Sequence, residues 1–190
     1  MNERRSRRVF LRETGTLVLG FWAGGTLLQM TPAEARAQRL PLRVLGPAQV
    51  HTLEALAELL LPGSAAAGIA HFIDHQLAAP AEEQMLMIKY LGVEPPFQAF
   101  YTAGFAALDA CAMKLHGRIF PDLEPEHRGD LAGRIAQANP EGWDGPPAPL
   151  FHFVLRSDAL DVVYGTRQGV ESLGLPYMAH IVPPSRWGEA

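Results

Sequence analysis

The 190 residues include 16 lysines and arginines against 20 aspartates and glutamates, a formal net charge of −4. The first 37 residues hold six of those basic residues and three of the acidic ones, so the remaining chain of about 153 residues carries a net charge of −7. An acidic domain of this size has room for one hydrophobic core, and its charge argues against binding to nucleic acid or to an anionic membrane surface. A single cysteine, Cys111, excludes an intramolecular disulfide, a Cys-x-x-Cys-His haem attachment and an iron–sulfur cluster held by this chain alone.

The start of the chain has the pattern of an export signal. Arg7 and Arg8 are followed, after one spacer, by Phe10 and Leu11, and a weakly apolar run covers residues 14–30. This arrangement resembles the twin-arginine signal of bacteria, which a receptor reads as an address. We therefore expect the chain to be translocated by the twin-arginine translocase and to work in the periplasm.

A run of small residues over 33–37 closes the signal with the spacing that a leader peptidase needs. We predict a signal peptide over residues 1–37, cleaved after Ala37, with Ala35 as the second choice. The alternative is a transmembrane anchor, but an apolar run of about 17 residues interrupted by four glycines is short for a span that needs about 20.

Apolar residues spaced three and four apart predict a series of helices separated by prolines and glycines. Sustained alternation of apolar and polar residues is absent, so strands should be minor. The fold class that follows is all-α, a small irregular bundle of five or six helices over residues 38–163, with the helix after Pro95-Pro96 at its centre. The predicted helices cover Pro47–Leu60, Ile69–Leu77, Glu82–Leu91, Phe97–Leu115, the region of Leu131 and Ile135, and Leu150–Val163.

From Tyr164 onward the helical period ends, although the sequence stays rich in aromatic and aliphatic residues. Glycines and prolines recur through this stretch, which favours turns and extended backbone. We predict an extended C-terminal arm over residues 164–190. Because it is apolar without being periodic, it should pack on another surface.

Few side chains could carry chemistry. His71 and His75 stand four apart around Asp74, a ligand spacing, but nothing nearby completes a metal site, so two partly exposed polar residues are expected. Cys111 lies on the apolar stripe of the central helix and is expected in the core, and His116 should interact with the last carbonyls of that helix. No Gly-x-Gly-x-x-Gly pattern indicates a flavin or nicotinamide fold. We predict no catalytic, metal-binding or cofactor-binding residue in this chain.

Several stretches together resemble subunit 3 of gluconate 2-dehydrogenase, over roughly Val50 to Trp187. The resemblance rests on residues 53–63 (LEALAELLLPG), Phe72-Ile73-Asp74, residues 104–109 (GFAALD) with Gly117 to Phe120, and the tail from Tyr164-Gly165-Thr166 through Gly169 and Gly174 to Pro176-Tyr177.

The resemblance implies a non-catalytic small subunit of a periplasmic, inner-membrane-associated dehydrogenase complex. In such a complex a large subunit of the glucose-methanol-choline type, holding FAD with or without an iron–sulfur cluster, oxidises gluconate, glucose or a polyol. A multihaem cytochrome c, with haem c, then passes the electrons on. The small subunit would hold no cofactor, would carry the export signal for the large one and would support its maturation.

The resemblance and the apolar tail together indicate where the partner would bind. The candidate interface residues are Tyr164, Gly165, Thr166, Gly169, Tyr177, His180 and Trp187. Two alternatives stay open from sequence: a stand-alone periplasmic enzyme using His71, His75 or Cys111, and a small-molecule binding module.

Overall fold

The structure is a computed structural model that describes residues 17–23 and 25–175. Within that part of the chain an antiparallel hairpin precedes seven α-helices, which confirms the mostly α-helical bundle. The hairpin consists of β1 (Leu19–Ala23) and β2 (Thr26–Met30). The helices are α1 (Pro32–Ala37), α2 (Pro47–Leu60), α3 (Ile69–Ala78), α4 (Gln98–His116), α5 (Pro125–Gln137), α6 (Ala148–Tyr164) and α7 (Arg167–Ser172), and 3₁₀ turns cover Ala81–Glu83, Met87–Leu91 and Phe120–Asp122.

An aromatic cluster joins α4 to α6 at the centre of the bundle. The ring of Phe151 on α6 lies 5.6 Å from that of Phe105 and 6.0 Å from that of Phe100, both on α4. Trp143, on the link before α6, approaches the same ring at 5.9 Å. Burial of large aromatic rings in offset and edge contacts is a main source of core stability. The long fourth helix, which the sequence placed at the centre of the bundle, packs on α6 through this cluster.

Helix α3 is buried on nearly every side, since seven of its ten residues are buried. One side faces α2 and α6, and the other faces α1, the hairpin and the link over residues 38–46. A helix that is apolar almost all round must be covered almost all round. The N-terminal elements supply part of that cover.

The helix predicted over Glu82–Leu91 is wrong, because the segment forms two separate 3₁₀ turns. The backbone N–H of Met85 donates to the side-chain carbonyl of Gln76 on α3, at 2.7 Å, and that of Met87 donates to the carboxylate of Asp158 on α6, at 2.9 Å. Backbone donors that bond to side chains of other helices cannot form an i→i−4 ladder. The tertiary contacts override the local apolar period here.

The hairpin and α1 lie inside the range that the sequence assigned to a signal peptide. Helix α1 has a capping box: the Thr31 hydroxyl accepts from the Glu34 N–H, and the Glu34 carboxylate accepts from the Thr31 N–H at 2.7 Å. Pro32 occupies the first helical turn, where its missing N–H costs nothing. Neither the hairpin nor α1 was predicted from the sequence.

The extended arm predicted from Tyr164 begins differently, because Tyr164 ends α6 and Arg167–Ser172 forms the short helix α7. The remainder of the predicted arm, residues 176–190, lies outside the described residues. Among the helices that the structure describes, none is long and apolar enough to cross a membrane.

Candidate functional site

Four of the predicted interface residues meet at the junction of α6 and α7. The Thr166 hydroxyl accepts from the Gly169 N–H at 3.0 Å and donates to the Val163 carbonyl at 3.1 Å, so it caps α7 and ties it to α6. The Gly165 N–H donates to the Asp161 carbonyl at 2.9 Å. Tyr164, Gly165, Thr166 and Gly169 therefore form one compact turn.

The two glycines of this turn allow close backbone approach. A Cβ atom on Gly169 would overlap the Val163 carbonyl oxygen, and one on Gly165 would overlap the Asp161 carbonyl oxygen. Glycine is needed where one backbone approaches another this closely. These positions shape the turn itself, and contact with a partner is a separate property that remains a prediction.

The other predicted functional residues lie outside the described part of the chain. They are the interface residues Tyr177, His180 and Trp187 and the export-signal residues Arg7, Arg8, Phe10 and Leu11. Their assignments stay predictions from sequence.

A pocket of about 350 Å³ adjoins the α6–α7 turn. Its walls come from α1, the turn between α2 and α3, α6 and α7, and include Pro32, Ala67, Val162, Thr166 and Gly169. Small and apolar side chains of this kind can receive an apolar side chain of another protein.

Helix α6 presents an exposed apolar face. Phe153 is 49% exposed and Leu160 is 38% exposed, although both are large and apolar. Residues 153, 160 and 164 are spaced by seven and four, so the half-buried Tyr164 shares this face. We refer to Phe153, Leu160 and Tyr164 as the α6 face. Grouped apolar exposure of this kind is typical of an interaction surface.

Three helical aspartates hold non-helical segments in place. Asp74 on α3 accepts from the backbone N–H groups of Arg43, Val44 and Leu45, each at 2.8 Å. This carboxylate is buried and its acceptor sites are taken by the 38–46 link. It positions that link.

Asp109 on α4 accepts from the Thr52 hydroxyl at 2.8 Å and from the Phe120 N–H at 3.1 Å. It thereby ties α2 and the turn at 120–122 to the central helix. Both hydrogen bonds are partly buried, and a hydrogen bond to a charged group contributes about 1.5–3 kcal/mol, less where water competes.

Asp158 on α6 is the most deeply buried of the three. It accepts from the Met87 N–H and, at 2.6 Å, from the Tyr101 hydroxyl. Burial raises the pKa of Asp158 to about 7, although the two hydrogen bonds oppose the rise. Burial, followed by the Asp158 charge, raises the pKa of Tyr101 well above its ordinary value.

Sequence reasoning gave none of these aspartates a role. The sequence does contain a feature that could have identified two of them, since Asp74 and Asp158 lie among buried apolar residues of their helices. A charged residue on an apolar face must find a partner or leave a costly unpaired charge.

His71 and His75 each hold a backbone carbonyl. His71 Nε2 donates to the Leu40 carbonyl at 3.1 Å, and His75 Nε2 donates to the Gly20 carbonyl at 3.0 Å. Because both acceptors are carbonyl oxygens, Nε2 is the donor in each ring, and neither buried Nδ1 atom has a hydrogen-bond partner among the described residues. No group of three side chains suited to a metal ion occurs among the described residues. His71 is more buried than the sequence predicted.

The other candidate side chains are structural. Cys111 is fully buried, which confirms its expected place in the core, and burial raises the pKa of its thiol. At the end of α4, Gly117 in the left-handed conformation donates its N–H to the Met113 carbonyl. The predicted capping by His116 gives way to stacking of its ring on that of His127, with centroids 4.2 Å apart.

A family model described as gluconate 2-dehydrogenase subunit 3 matches residues 47–181. The chain belongs to this family. The match covers every helix from α2 to α7 and confirms the resemblance seen in the sequence, and it begins after the hairpin and α1. No curated protein and no solved structure is significantly similar to the chain. Membership makes it an accessory subunit of a dehydrogenase complex, so partner subunits are implied.

Proposed function

We propose that this chain is the non-catalytic small subunit of a periplasmic, inner-membrane-associated dehydrogenase complex. Its partner would be a large subunit that holds FAD, with or without an iron–sulfur cluster, and oxidises gluconate, glucose or a polyol. A multihaem cytochrome c would complete the complex. Family membership carries this proposal, because a subunit 3 exists beside catalytic subunits.

The roles of the described polar side chains support an accessory function. Asp74, Asp109 and Asp158 accept hydrogen bonds that join helices to links, and Cys111 is buried. A catalytic carboxylate or thiol must instead reach a substrate. The exposed α6 face supplies surface for a large partner.

Arg7 and Arg8 would form the part of the export signal that the twin-arginine translocase recognises. The twin-arginine translocase transports folded proteins. The large subunit, with its flavin bound, would therefore cross the inner membrane in complex with this chain. This chain would also support the maturation of that partner before export. The requirement for such a route is then explained by the cofactor of the partner.

Co-expression with the large flavoprotein subunit of the proposed complex tests the export role. Replacing Arg7 and Arg8 together by lysine should leave the large subunit and its dye-linked dehydrogenase activity in the cytoplasm. The matched control replaces Arg4 and Arg5 by lysine, which keeps the same charge and leaves the motif intact. Normal periplasmic activity with Arg7→Lys and Arg8→Lys would contradict the escort role.

Binding of the C-terminal arm to the large subunit can be tested without removing any described helix. A chain that stops after Leu175 keeps α6 and α7 and removes Tyr177, His180 and Trp187. We expect it to lose the large subunit during affinity purification. Retention of the partner at wild-type yield would show that those residues are not needed to bind the large subunit.

A further inference from the structure

The segment that contains the hairpin and α1, residues 17–23 and 25–37, packs against the bundle as a folded unit; we refer to it as the N-terminal segment. Leu19 and Met30 are buried at the base of the hairpin. The Gly20 carbonyl accepts from His75, and the Phe21 ring lies 5.1 Å from the His75 ring and 6.5 Å from the His71 ring. The hairpin thus binds to α3 through apolar, aromatic and hydrogen-bonding contacts.

Helix α1 makes a second set of contacts. Ala35 has no exposed surface and Pro32 is buried. The Pro32 carbonyl lies so close to Gly68, at the start of α3, that a Cβ atom there would overlap it. Arg36 pairs with Glu54 of α2 at 3.3 Å.

These contacts include the predicted processing site. Cleavage after Ala37 requires Ala35 and Ala37 to enter the peptidase, but both lie in α1 and Ala35 is completely buried. Proteases act on locally opened chain, so the rate of cleavage follows the population of the opened form. While the N-terminal segment is docked, the site is out of reach.

We propose that the bundle is the docking site of its own leader: residues 17–23 and 25–37 bind to α3 and α2, and processing after Ala37 requires their release. This inference rests on the leader assignment within the proposed function. The docked segment covers part of α3, and Leu19 and Met30 of the apolar run are buried in the contact. Release of the segment is then a step that precedes cleavage.

The test uses the purified full-length chain and purified leader peptidase in detergent micelles, with the products followed by intact mass. Each cleavage rate is divided by that of a synthetic peptide covering residues 14–42 of the same sequence, which corrects for effects on recognition. We expect the wild-type chain to be cleaved at least about tenfold more slowly than its peptide, since a tenfold lower open population gives a tenfold lower rate.

Two variants release the segment, and each has a matched control. Gly68→Ala places a methyl group against the Pro32 carbonyl, whereas Gly63→Ala introduces the same positive-φ strain with no atom within 4 Å. Phe21→Ser removes the ring that packs on His75, whereas Trp22→Ser changes a residue that is 60% exposed on the same strand. Gly68→Ala and Phe21→Ser should approach the rate of the peptide, and the controls should stay slow.

Three outcomes would overturn the proposal: a wild-type chain cleaved as fast as its peptide, controls accelerated as much as the releasing variants, or a peptide not cleaved after Ala37. Circular dichroism identifies any variant that fails to fold. If Gly68→Ala fails to fold, the cleavage rate of Phe21→Ser decides the test. The assay contains no partner subunit, so its failure is distinguishable from failure of the co-export experiment.

Discussion

Gly104 of α4 lies directly against the ring of Phe151 on α6, with no space for a side chain between them. The contact sits beside the aromatic cluster that joins the two helices. A glycine in the middle of a 19-residue helix is unfavourable for helix formation, so its presence reflects tertiary packing. Gly104 thus allows α4 and α6 to approach each other closely.

Gly104→Ala should destabilise the domain. The methyl group gains about 1 kcal/mol of helix propensity, but displacing the Phe151 ring costs about 1–3 kcal/mol, so we expect a net loss of roughly 1 kcal/mol. Gly133→Ala on α5 is the matched control, since a Cβ atom there meets nothing. It should stabilise by roughly 0.5–1 kcal/mol. Urea denaturation measures both, and stabilisation by Gly104→Ala would contradict the packing argument.

Helices α2 and α5 were predictable from sequence because each buries one side of its surface. Residues 47–60 and 125–137 bury a stripe, and the apolar period shows it. The helix prediction for residues 82–91 failed because Gln76 and Asp158, which are distant in sequence, accept hydrogen bonds from backbone N–H groups of this segment. No local pattern records such a contact.

The N-terminal segment was missed for a different reason. Its apolar residues fit the expected middle of an export signal, and neither two strands of five residues nor a six-residue helix is stable alone. The hairpin and α1 depend on contacts with α3. That α3 is covered on this side is visible only in the structure, where the helix is buried on nearly every side. For the candidate interface, the sequence placed Tyr164, Gly165, Thr166 and Gly169 in an extended arm, whereas they form the α6–α7 turn. The α6 face was not predicted, because the exposure of a side chain cannot be read from spacing alone.

The stability of the domain should depend on pH through Asp158. Burial raises its folded-state pKa to about 7 from an ordinary value of 3.8, so the folded state binds more protons than the unfolded state between these values. This contribution to stability is present at low pH and is lost as the pH rises towards 7, by at most about 1.4 kcal/mol per pH unit. Asp158→Asn cannot titrate and should remove this slope. The free energies of unfolding of both proteins at pH 5 and pH 8 test this, and equal slopes would contradict it.

Docking of the hairpin should weaken in acid because of His75. Burial lowers the pKa of His75, with Arg43 adding to the effect and the Gly20 carbonyl and Asp74 opposing it. If release exposes His75, the docked state binds fewer protons than the released state, so docking is strongest at neutral pH and weakens as the pH falls below the ordinary value of 6.5. His71 also faces this site through Phe21.

Hydrogen exchange of the hairpin amides, corrected for intrinsic rates, should show more opening at pH 5.5 than at pH 7.5. His75→Gln retains a donor for the Gly20 carbonyl and cannot titrate, so this pH dependence should largely disappear. His152→Gln is the control, because burial also lowers the pKa of His152 but it lies on α6. An unchanged pH dependence in His75→Gln would exclude His75 as its cause.

The α6 face should be needed to hold the large subunit. Phe153→Ser with Leu160→Ser removes two large apolar side chains that the folded domain leaves exposed, so stability should change little while partner binding falls at least about tenfold. The control, Met113→Ser with Leu115→Ser, removes comparably exposed apolar side chains from α4. Co-purified flavin per mole of small subunit gives the readout, with thermal unfolding as a check on folding. Equal flavin recovery in the two double variants would show that the partner binds elsewhere on the subunit.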